Sequence, residues 1–325
     1  MILHETEKND FSRAVEQGHV SHAYAIEGRE GIGKLDFAMY CAKTILCEAT
    51  DGSKPCGKCA SCRKTDVDEH PDISVPQPDE GKKTLSIDQI REIRRDAYVV
   101  PNDGERKVYI FTDAHDMPGR NQNALLKIIE EPPEPVVFFF LVCSRSMLLP
   151  TVRSRRSFIT LSPLNENSIC EWLRQRHPKI SADVLEDAAR RSDGMPGRAE
   201  KLLEKDSVRL HDTAAELIRM LLQPSGRIYE FYSAVTALRY KQDGLKRLLE
   251  EMCDAFGDLL EAKYMKTSGF SFFSKEQADR YKNLASTESL TAFITVTDRL
   301  CGMLDSNPNM TSLLAYYAQQ LWNNK

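Results

Sequence analysis

The hydrophobic positions in the first half of the chain alternate between short continuous runs and helix-spaced stripes. Residues 108–111 and 136–142 are continuous apolar runs, and residues 22–27 are a third strand candidate. The helix-spaced stripes cover residues 35–46, 87–98 and 122–129. Because continuous apolar strands that alternate with helices are buried on both sides, this pattern predicts a parallel sheet with helices on both faces.

The second half of the chain has helical patterns almost throughout. Two amphipathic stretches, 165–176 and 182–191, form a small unit that closes at a turn with the sequence Gly-Met-Pro-Gly. Longer apolar stripes follow over 245–260 and 290–304, and we expect them to form the core of a helical bundle. The chain is therefore predicted to have three domains: an α/β domain over 1–162, a small helical domain over 163–209 and an all-α domain over 210–325.

Length and composition restrict the class of protein. The chain has 325 residues, of which 41% are hydrophobic and 28% charged, and this is typical of a globular protein with a sizeable core. A net charge of −4 excludes a wholly basic nucleic-acid binder but allows a local basic patch. The longest apolar run, 136–143, is shorter than the ~20 residues of a membrane span. The N-terminus turns polar after three residues, so we expect no signal peptide and a cytoplasmic protein.

A glycine-rich loop follows the first strand candidate. Residues 28–35 read Gly-Arg-Glu-Gly-Ile-Gly-Lys-Leu, which fits the pattern G-x4-G-K-[ST] except at the last position. Gly28, Gly31 and Gly33 let the backbone curl around a phosphate at the start of a helix, and Lys34 would reach the β- and γ-phosphates. The segment is therefore predicted to be a P-loop.

Two residues argue against ATP hydrolysis at this loop. Leu35 stands where a Ser or Thr hydroxyl would bind Mg²⁺, and leucine has no ligand atom. Thr112 follows the next apolar strand, where an aspartate would hold the same ion, and Asp113 then takes the place of the activating acid on a shorter side chain. We therefore predict that this chain does not hydrolyse Mg²⁺-ATP and that it has no catalytic residue of its own.

Four of the nine cysteines are clustered. They follow one another as Cys47-x8-Cys56-x2-Cys59-x2-Cys62. In a chain that is not exported, this spacing favours a metal site over disulfides, and four thiolates suit a structural, tetrahedral Zn²⁺ that braces the segment 47–62. The alternatives are four free thiols spaced by coincidence and a DNA-contacting zinc ribbon, although the segment is short and has no aromatic residue.

Two groups of arginines have more than one interpretation. Residues 153–156 include three arginines, which form either a solvated basic turn or an element that contacts an anion such as phosphate. Arg91, Arg94 and Arg95 lie on the helical face opposite the isoleucines of residues 87–98. They form either a solvated face or a sequence-independent contact with the DNA backbone.

Taken together, these segments resemble the delta-prime family of bacterial clamp-loader subunits, a branch of the AAA+ proteins. The matching segments occur in order over roughly the first 200 residues: 22–34, the four-cysteine insert, His70-Pro71-Asp72, 87–91, 123–133, 151–155 and 194–199. The resemblance implies a RecA-like P-loop domain with a parallel sheet, then a small helical lid domain and an all-α collar domain. The last third of the chain fits the collar by length and position only.

The resemblance also implies a function in DNA replication. It implies a non-hydrolysing stator in a five-subunit ring with the tau/gamma and delta subunits of DNA polymerase III, which loads the sliding clamp on primed DNA. Ser154 and Arg155 match a Ser-Arg-Cys motif that supplies an arginine finger in trans, and Arg156 replaces the cysteine. Arg153 and Arg156 are therefore alternative fingers. Arg198 matches a lid arginine that senses nucleotide in active relatives, and its alternative role is a contact between lid and core.

Two other functions compete with the stator. One is a weakly active AAA+ ATPase of the tau/gamma type, which should have Ser or Thr at position 35 and Asp at position 112. The other is a stand-alone zinc-dependent DNA-binding module, which the net acidity disfavours. The resemblance implies a location in the bacterial cytoplasm, at the replisome on the nucleoid, without a membrane partner.

Overall fold

The computed structural model describes residues 3–82, 84–112, 114, 117–130, 133–147, 157–264, 270–304, 306 and 308–325, without the side chains of 126–130. The chain divides into two compact units. The first comprises Met1–Trp172 and Gly194–Gly197, and the second comprises Leu173–Asp193 and Arg198–Lys325. The finer division at residues 162 and 209 stays a prediction.

Among the residues that the structure describes, the first unit contains five strands and five complete α-helices. Its elements in chain order are α1 (Glu5–Glu16), β1 (Ala23–Glu27), α2 (Lys34–Leu46), α3 (Ala60–Asp66), β2 (Ile73–Ser74), α4 (Ile87–Asp96), β3 (Lys107–Phe111), α5 (Gly119–Glu130), β4 (Val136–Val142) and β5 (Ser157–Thr160). The predicted strands at 22–27, 108–111 and 136–142 are confirmed as β1, β3 and β4. The two short strands β2 and β5 were not predicted.

The strands form one parallel sheet in the order β2-β3-β4-β1-β5. In the register of the sheet, Ala25 of β1 lies between Phe140 of β4 and Phe158 of β5. Every residue of β4 is buried, because this central strand is covered on both faces. Phe138 packs on one face, with its ring 5.5 Å from that of Tyr109. The parallel sheet predicted from the continuous apolar runs is therefore confirmed.

Helices cover the two faces of this sheet. On one face, Phe11 of α1 and Phe37 of α2 are buried in a cluster with Phe139 of β4. On the other face, Ile90 of α4 and Leu125 of α5 are buried in a second cluster, together with Phe138 and Phe140. The stripe of apolar residues predicted for α4 thus faces the sheet.

The second unit is helical over its described residues. Helix α6 (Glu166–Arg176) begins in the first unit, and the elements that follow are α7 (Ala182–Arg191), α8 (Pro196–Leu202), α9 (Lys205–Leu222), α10 (Ile228–Thr236), α11 (Gln242–Tyr264), α12 (Lys275–Tyr281), α13 (Thr287–Leu304) and α14 (Met310–Asn323). The stripes predicted over 245–260 and 290–304 lie in the core of the bundle, where the rings of Phe256 and Phe293 are 5.1 Å apart. Among the described residues, no helix is both long and apolar enough to span a bilayer.

Candidate functional site

The glycine-rich loop lies between the end of β1 and the start of α2. Gly31 and Gly33 have φ angles of +78° and +93°, which only glycine adopts without strain. A Cβ at Gly28 would lie 2.8 Å from a side-chain carbon of Ile32, so a larger residue would displace the loop. Gly31 and Gly33 are therefore favoured by their backbone angles, and Gly28 by its close approach to the side chain of Ile32.

The ammonium of Lys34 is bound by its own loop. Its Nζ donates hydrogen bonds to the carbonyl oxygens of Gly28 at 2.7 Å and Arg29 at 3.0 Å. Leu35, in the first turn of α2, is 41% exposed and offers no oxygen to a metal ion. Thr112 directly follows β3, and Asp113 lies outside the described residues.

Two groups from other parts of the sequence donate hydrogen bonds to carbonyl groups of the P-loop. The backbone N–H of Gly197 donates to the carbonyl of Gly31 at 2.8 Å, and a Cβ on Gly197 would lie 3.1 Å from Gly31. The imidazole Nε2 of His4, which is buried, donates to the carbonyl of Ile32 at 2.8 Å. Sequence reasoning missed His4, since nothing in a local pattern connects an N-terminal histidine to a loop almost thirty residues later.

Arg198 is held by carboxylates of its own unit. Its guanidinium pairs with Asp193 at 2.5 Å and lies 3.8 Å from Asp254 of α11. Burial raises the pKa of Asp254 to about 6, and the positive charge of Arg198 opposes this rise. Within the second unit, Arg198 thus stabilises two acidic groups.

The four clustered cysteines converge in space. Their Sγ atoms all lie within 4.8 Å of one another, and Cys56 and Cys62 are 4.0 Å apart at sulfur. Tetrahedral Zn²⁺ with bonds of about 2.3 Å requires sulfur–sulfur distances of about 3.8 Å, so the donor set fits this ion. The residues that would hold the metal are those predicted, namely Cys47, Cys56, Cys59 and Cys62.

Backbone amides surround the sulfur atoms of this cluster. The N–H groups of Lys58 and Cys59 donate to Cys56 Sγ at 3.4 Å each, and they lower the pKa of that thiol to about 6. The N–H of Cys62 donates to Cys59 Sγ at 3.4 Å, where Cys59 is the N-cap of α3. Burial raises the pKa of Cys47. Amides that favour thiolates are the usual surroundings of a metal-bound cysteine.

The arginines of α4 differ in their environments. Arg91 and Arg95 are exposed, and Arg91 pairs with Asp88 at 2.9 Å on the same helix. Arg94 is half-buried, and its Nε is a buried atom without a hydrogen-bond partner among the described residues. The helix begins with a capping box formed by Ser86 and Gln89. The predicted finger residues Arg153, Ser154, Arg155 and Arg156 lie outside the described residues.

Comparison with known proteins places these features in one family. Residues 3–165 match the protein family described as "DNA polymerase III, delta subunit". The chain is 33% identical over 236 residues to DNA polymerase III subunit delta' of Escherichia coli (strain K12), which covers 72% of this chain and 69% of that protein. It is 31% identical over 193 residues to the delta' subunit of Bacillus subtilis (strain 168), covering 59% and 55% of the two chains. It is also 35% identical over 144 residues to the gamma/tau subunit of Mycobacterium tuberculosis (strain ATCC 25618 / H37Rv), covering 44% of this chain and 25% of that one.

The chain also matches solved structures, among them two from Thermotoga maritima. A gamma-subunit-related protein of DNA polymerase III has a TM-score of 0.47 and 15% identity, and the match covers 98% of this chain and 99% of that one. The Holliday junction branch migration motor RuvB has a TM-score of 0.42 and 16% identity, covering 78% and 77%. On the sequence matches, the chain belongs to the delta' family of DNA polymerase III clamp-loader subunits.

Proposed function

We propose that this clamp-loader subunit is a stator: it assembles the ring, hydrolyses no ATP itself and donates Arg155 in trans to the ATP site of a neighbouring tau/gamma subunit. The observation that carries the proposal is the P-loop, where the glycines and Lys34 are in place but neither metal-binding position has a suitable ligand. Leu35 and Thr112 stand at the two positions that would hold Mg²⁺.

The surroundings of Leu35 support this view. Leu35 and Met39 of α2 line a cavity of about 360 Å³ together with Ile73 and Val75. Thr65, Asp68 and His70 complete the lining of this cavity, but its α2 side, at the first turn of the P-loop helix, offers a hydrated Mg²⁺ ion no oxygen to exchange for its water ligands. The loop can retain its phosphate-binding backbone while the step that requires the metal is lost.

The sheet supports an arginine finger that acts in trans. β5 begins at Ser157, directly after Arg156, and Ser157 pairs with Tyr24 of β1. The P-loop begins at Gly28, four residues beyond Tyr24, or about 13 Å along a strand. Because β1 and β5 are parallel, β5 begins at the end of the sheet opposite to the P-loop of the same chain. We infer from this start of β5, remote from the chain's own P-loop, that the motif preceding it in sequence acts on a neighbour's nucleotide.

The remaining parts of the proposal follow from the family. We propose that the collar, residues 210–325, joins the chain to tau/gamma and delta subunits in a five-subunit ring, which loads the sliding clamp on primed DNA in the bacterial cytoplasm at the nucleoid. A structural Zn²⁺ is proposed at the four cysteines. Arg91, Arg94 and Arg95 are candidates for contact with the DNA backbone.

ATP turnover by the isolated chain distinguishes the stator from the weak ATPase. We expect no Mg²⁺-dependent release of phosphate above that of a Lys34→Ala variant, which removes the ammonium from the loop. Turnover by the wild-type chain that is lost in Lys34→Ala would contradict the stator and would favour an ATPase of the tau/gamma type.

The arginine finger is tested in the reconstituted loader. Arg155→Ala should leave assembly intact and lower ATP hydrolysis at the affected site by up to ~10³-fold, since arginine fingers have effects of this size. Arg153→Ala and Arg156→Ala are the matched controls and should have little effect. A loss confined to one of these two variants would reassign the finger, and normal hydrolysis in all three would refute it.

A further inference from the structure

A chain of polar contacts leads from the four-cysteine insert to a surface loop that follows α4. We propose that the insert positions this loop, residues 97–104, through Ser61, His70 and Asp72. The insert would thereby shape a surface of the first unit that is distant from it in sequence, whether or not Arg155 acts as a finger.

The series of polar contacts starts at Ser61, which lies between two of the cysteines. Ser61 lies in the first turn of α3, next to Cys62 and two residues after Cys59, and it is buried. Its backbone N–H donates to the carboxylate of Glu48 at 3.2 Å, and its hydroxyl oxygen is 3.0 Å from Nε2 of His70. Any movement of the cysteine-bearing turn therefore moves the partner of His70.

His70 links Ser61 to Asp72 by hydrogen bonds. Its Nδ1 accepts a hydrogen bond from the backbone N–H of Asp72 at 3.1 Å, so the ring proton lies on Nε2 and is donated to Ser61. Both His70 and Asp72 are buried. The carbonyl of Asp72 accepts the N–H of Val108 at 2.8 Å, which fixes the segment where β2 meets β3.

The carboxylate of Asp72 holds the end of the loop. It accepts the backbone N–H groups of Asn102 at 2.6 Å, Asp103 at 2.8 Å and Gly104 at 2.9 Å. Lys64 of α3 forms an ion pair with the side chain of Asp103. The insert thus reaches this loop twice, once through His70 and Asp72 and once directly from α3.

The start of the loop is anchored separately. Asp96, the last residue of α4, accepts a hydrogen bond from Lys107 of β3 at 3.0 Å and another from the hydroxyl of Tyr109. Between the two anchors, Tyr98, Val99 and Val100 are 65%, 56% and 79% exposed. Three consecutive exposed apolar residues have no core to hold them, so the polar anchors determine the shape of the loop.

Metal binding should therefore change the loop. The four sulfur atoms lie within 4.8 Å of one another, and a bound cation would hold them together. When the cation is removed, this link between them is lost. The first turn of α3 then loosens, and with it Ser61 and Lys64. The strands, which are held by apolar packing, should be unaffected.

Hydrogen–deuterium exchange of the full chain tests the proposal. After zinc is loaded and then removed with a chelator, the amides of residues 102–104 should exchange about tenfold faster, while those of β4 stay protected. Ser61→Ala and His70→Gln should produce a similar acceleration with zinc still bound, as measured by metal content. Ser53→Ala is the matched control, because the Ser53 hydroxyl donates to Asp51, which lies within the insert.

The variants decide the outcome even if chelation also exposes β4. Unchanged exchange at 102–104 in both zinc-loaded variants would overturn the proposal. So would an acceleration in Ser53→Ala as large as that in Ser61→Ala. An acceleration limited to Ser61→Ala and His70→Gln would support it.

Discussion

Replacement of Asp72 by asparagine should destabilise the first unit by about 3 kcal/mol at neutral pH. Asparagine keeps one acceptor oxygen for the N–H of Asn102, but it turns an NH₂ group toward the N–H groups of Asp103 and Gly104, which Asp72 accepts at 2.8 and 2.9 Å. Each half-buried donor that loses its acceptor costs about 1–2 kcal/mol, and the charge assistance of the carboxylate is lost as well.

The pH dependence provides a second measure of the same contact. Burial by itself would raise the pKa of Asp72, but the amides of Asn102, Asp103 and Gly104 outweigh it and hold the pKa below its ordinary value. The unfolded chain therefore takes up a proton before the folded chain does. The stabilisation is fully present above the ordinary carboxyl range and is lost as the pH falls below about 4. The difference in the free energy of unfolding between wild type and Asp72→Asn should become smaller over the same pH range.

Denaturation by urea, followed by tryptophan fluorescence, measures the loss of stability in the unit that contains Asp72. Trp322 lies in the second unit, and Trp172 is the last residue of the first, so a Trp322→Phe background leaves a single probe at the end of the first unit. Asp68→Asn is the matched control, since Asp68 is exposed in a turn, and we expect it to change stability by less than about 0.5 kcal/mol. The reasoning is refuted if Asp72→Asn is as stable as the control, or if its deficit is unchanged at acid pH.

Changes at four further residues test the metal site and the packing. Cys59→Ser, or chelation of zinc, should lower the free energy of unfolding by several kcal/mol and abolish stoichiometric zinc binding. An unaltered melting temperature after both treatments would contradict the metal assignment. Gly194→Ala should cost about 3 kcal/mol in urea denaturation, because its φ is +80° and a Cβ would lie 2.6 Å from the carbonyl oxygen of Leu164. Gly257→Ala, where a Cβ meets nothing within 4 Å in helix α11, should instead stabilise by about 0.7 kcal/mol. Phe138→Ala, which empties a fully buried position in β4, should cost about 4 kcal/mol by calorimetry.

The central strands and the P-loop were accessible to sequence reasoning because their signals are local. An uninterrupted apolar run such as that of β4 arises from burial on both faces, and its pattern is the same wherever the neighbouring strands come from. The glycine spacing of the P-loop reflects the backbone angles that Gly31 and Gly33 adopt. The cysteine spacing is also local, because one short segment supplies all four thiols.

The edge strands were not accessible in the same way. β2 has two residues and β5 has four, and the residues of β5 are exposed or half-buried. Short edge strands bury little apolar surface, so they leave no hydrophobic pattern that separates them from loops. Their place in the sheet depends on the hydrogen bonds that β3 and β1 offer them.

The sequence by itself determined the family, the parallel α/β architecture with helices after it, the P-loop with its missing metal ligands and the four-cysteine set. Tertiary structure alone decided which groups support these segments. His4 behind the P-loop, Gly197 against Gly31, and the path from Ser61 to Asp72 all join residues that are far apart in the chain. Such contacts depend on how the elements pack, and hydrogen-bonding side chains such as histidine and aspartate carry no periodic signal that names their partner.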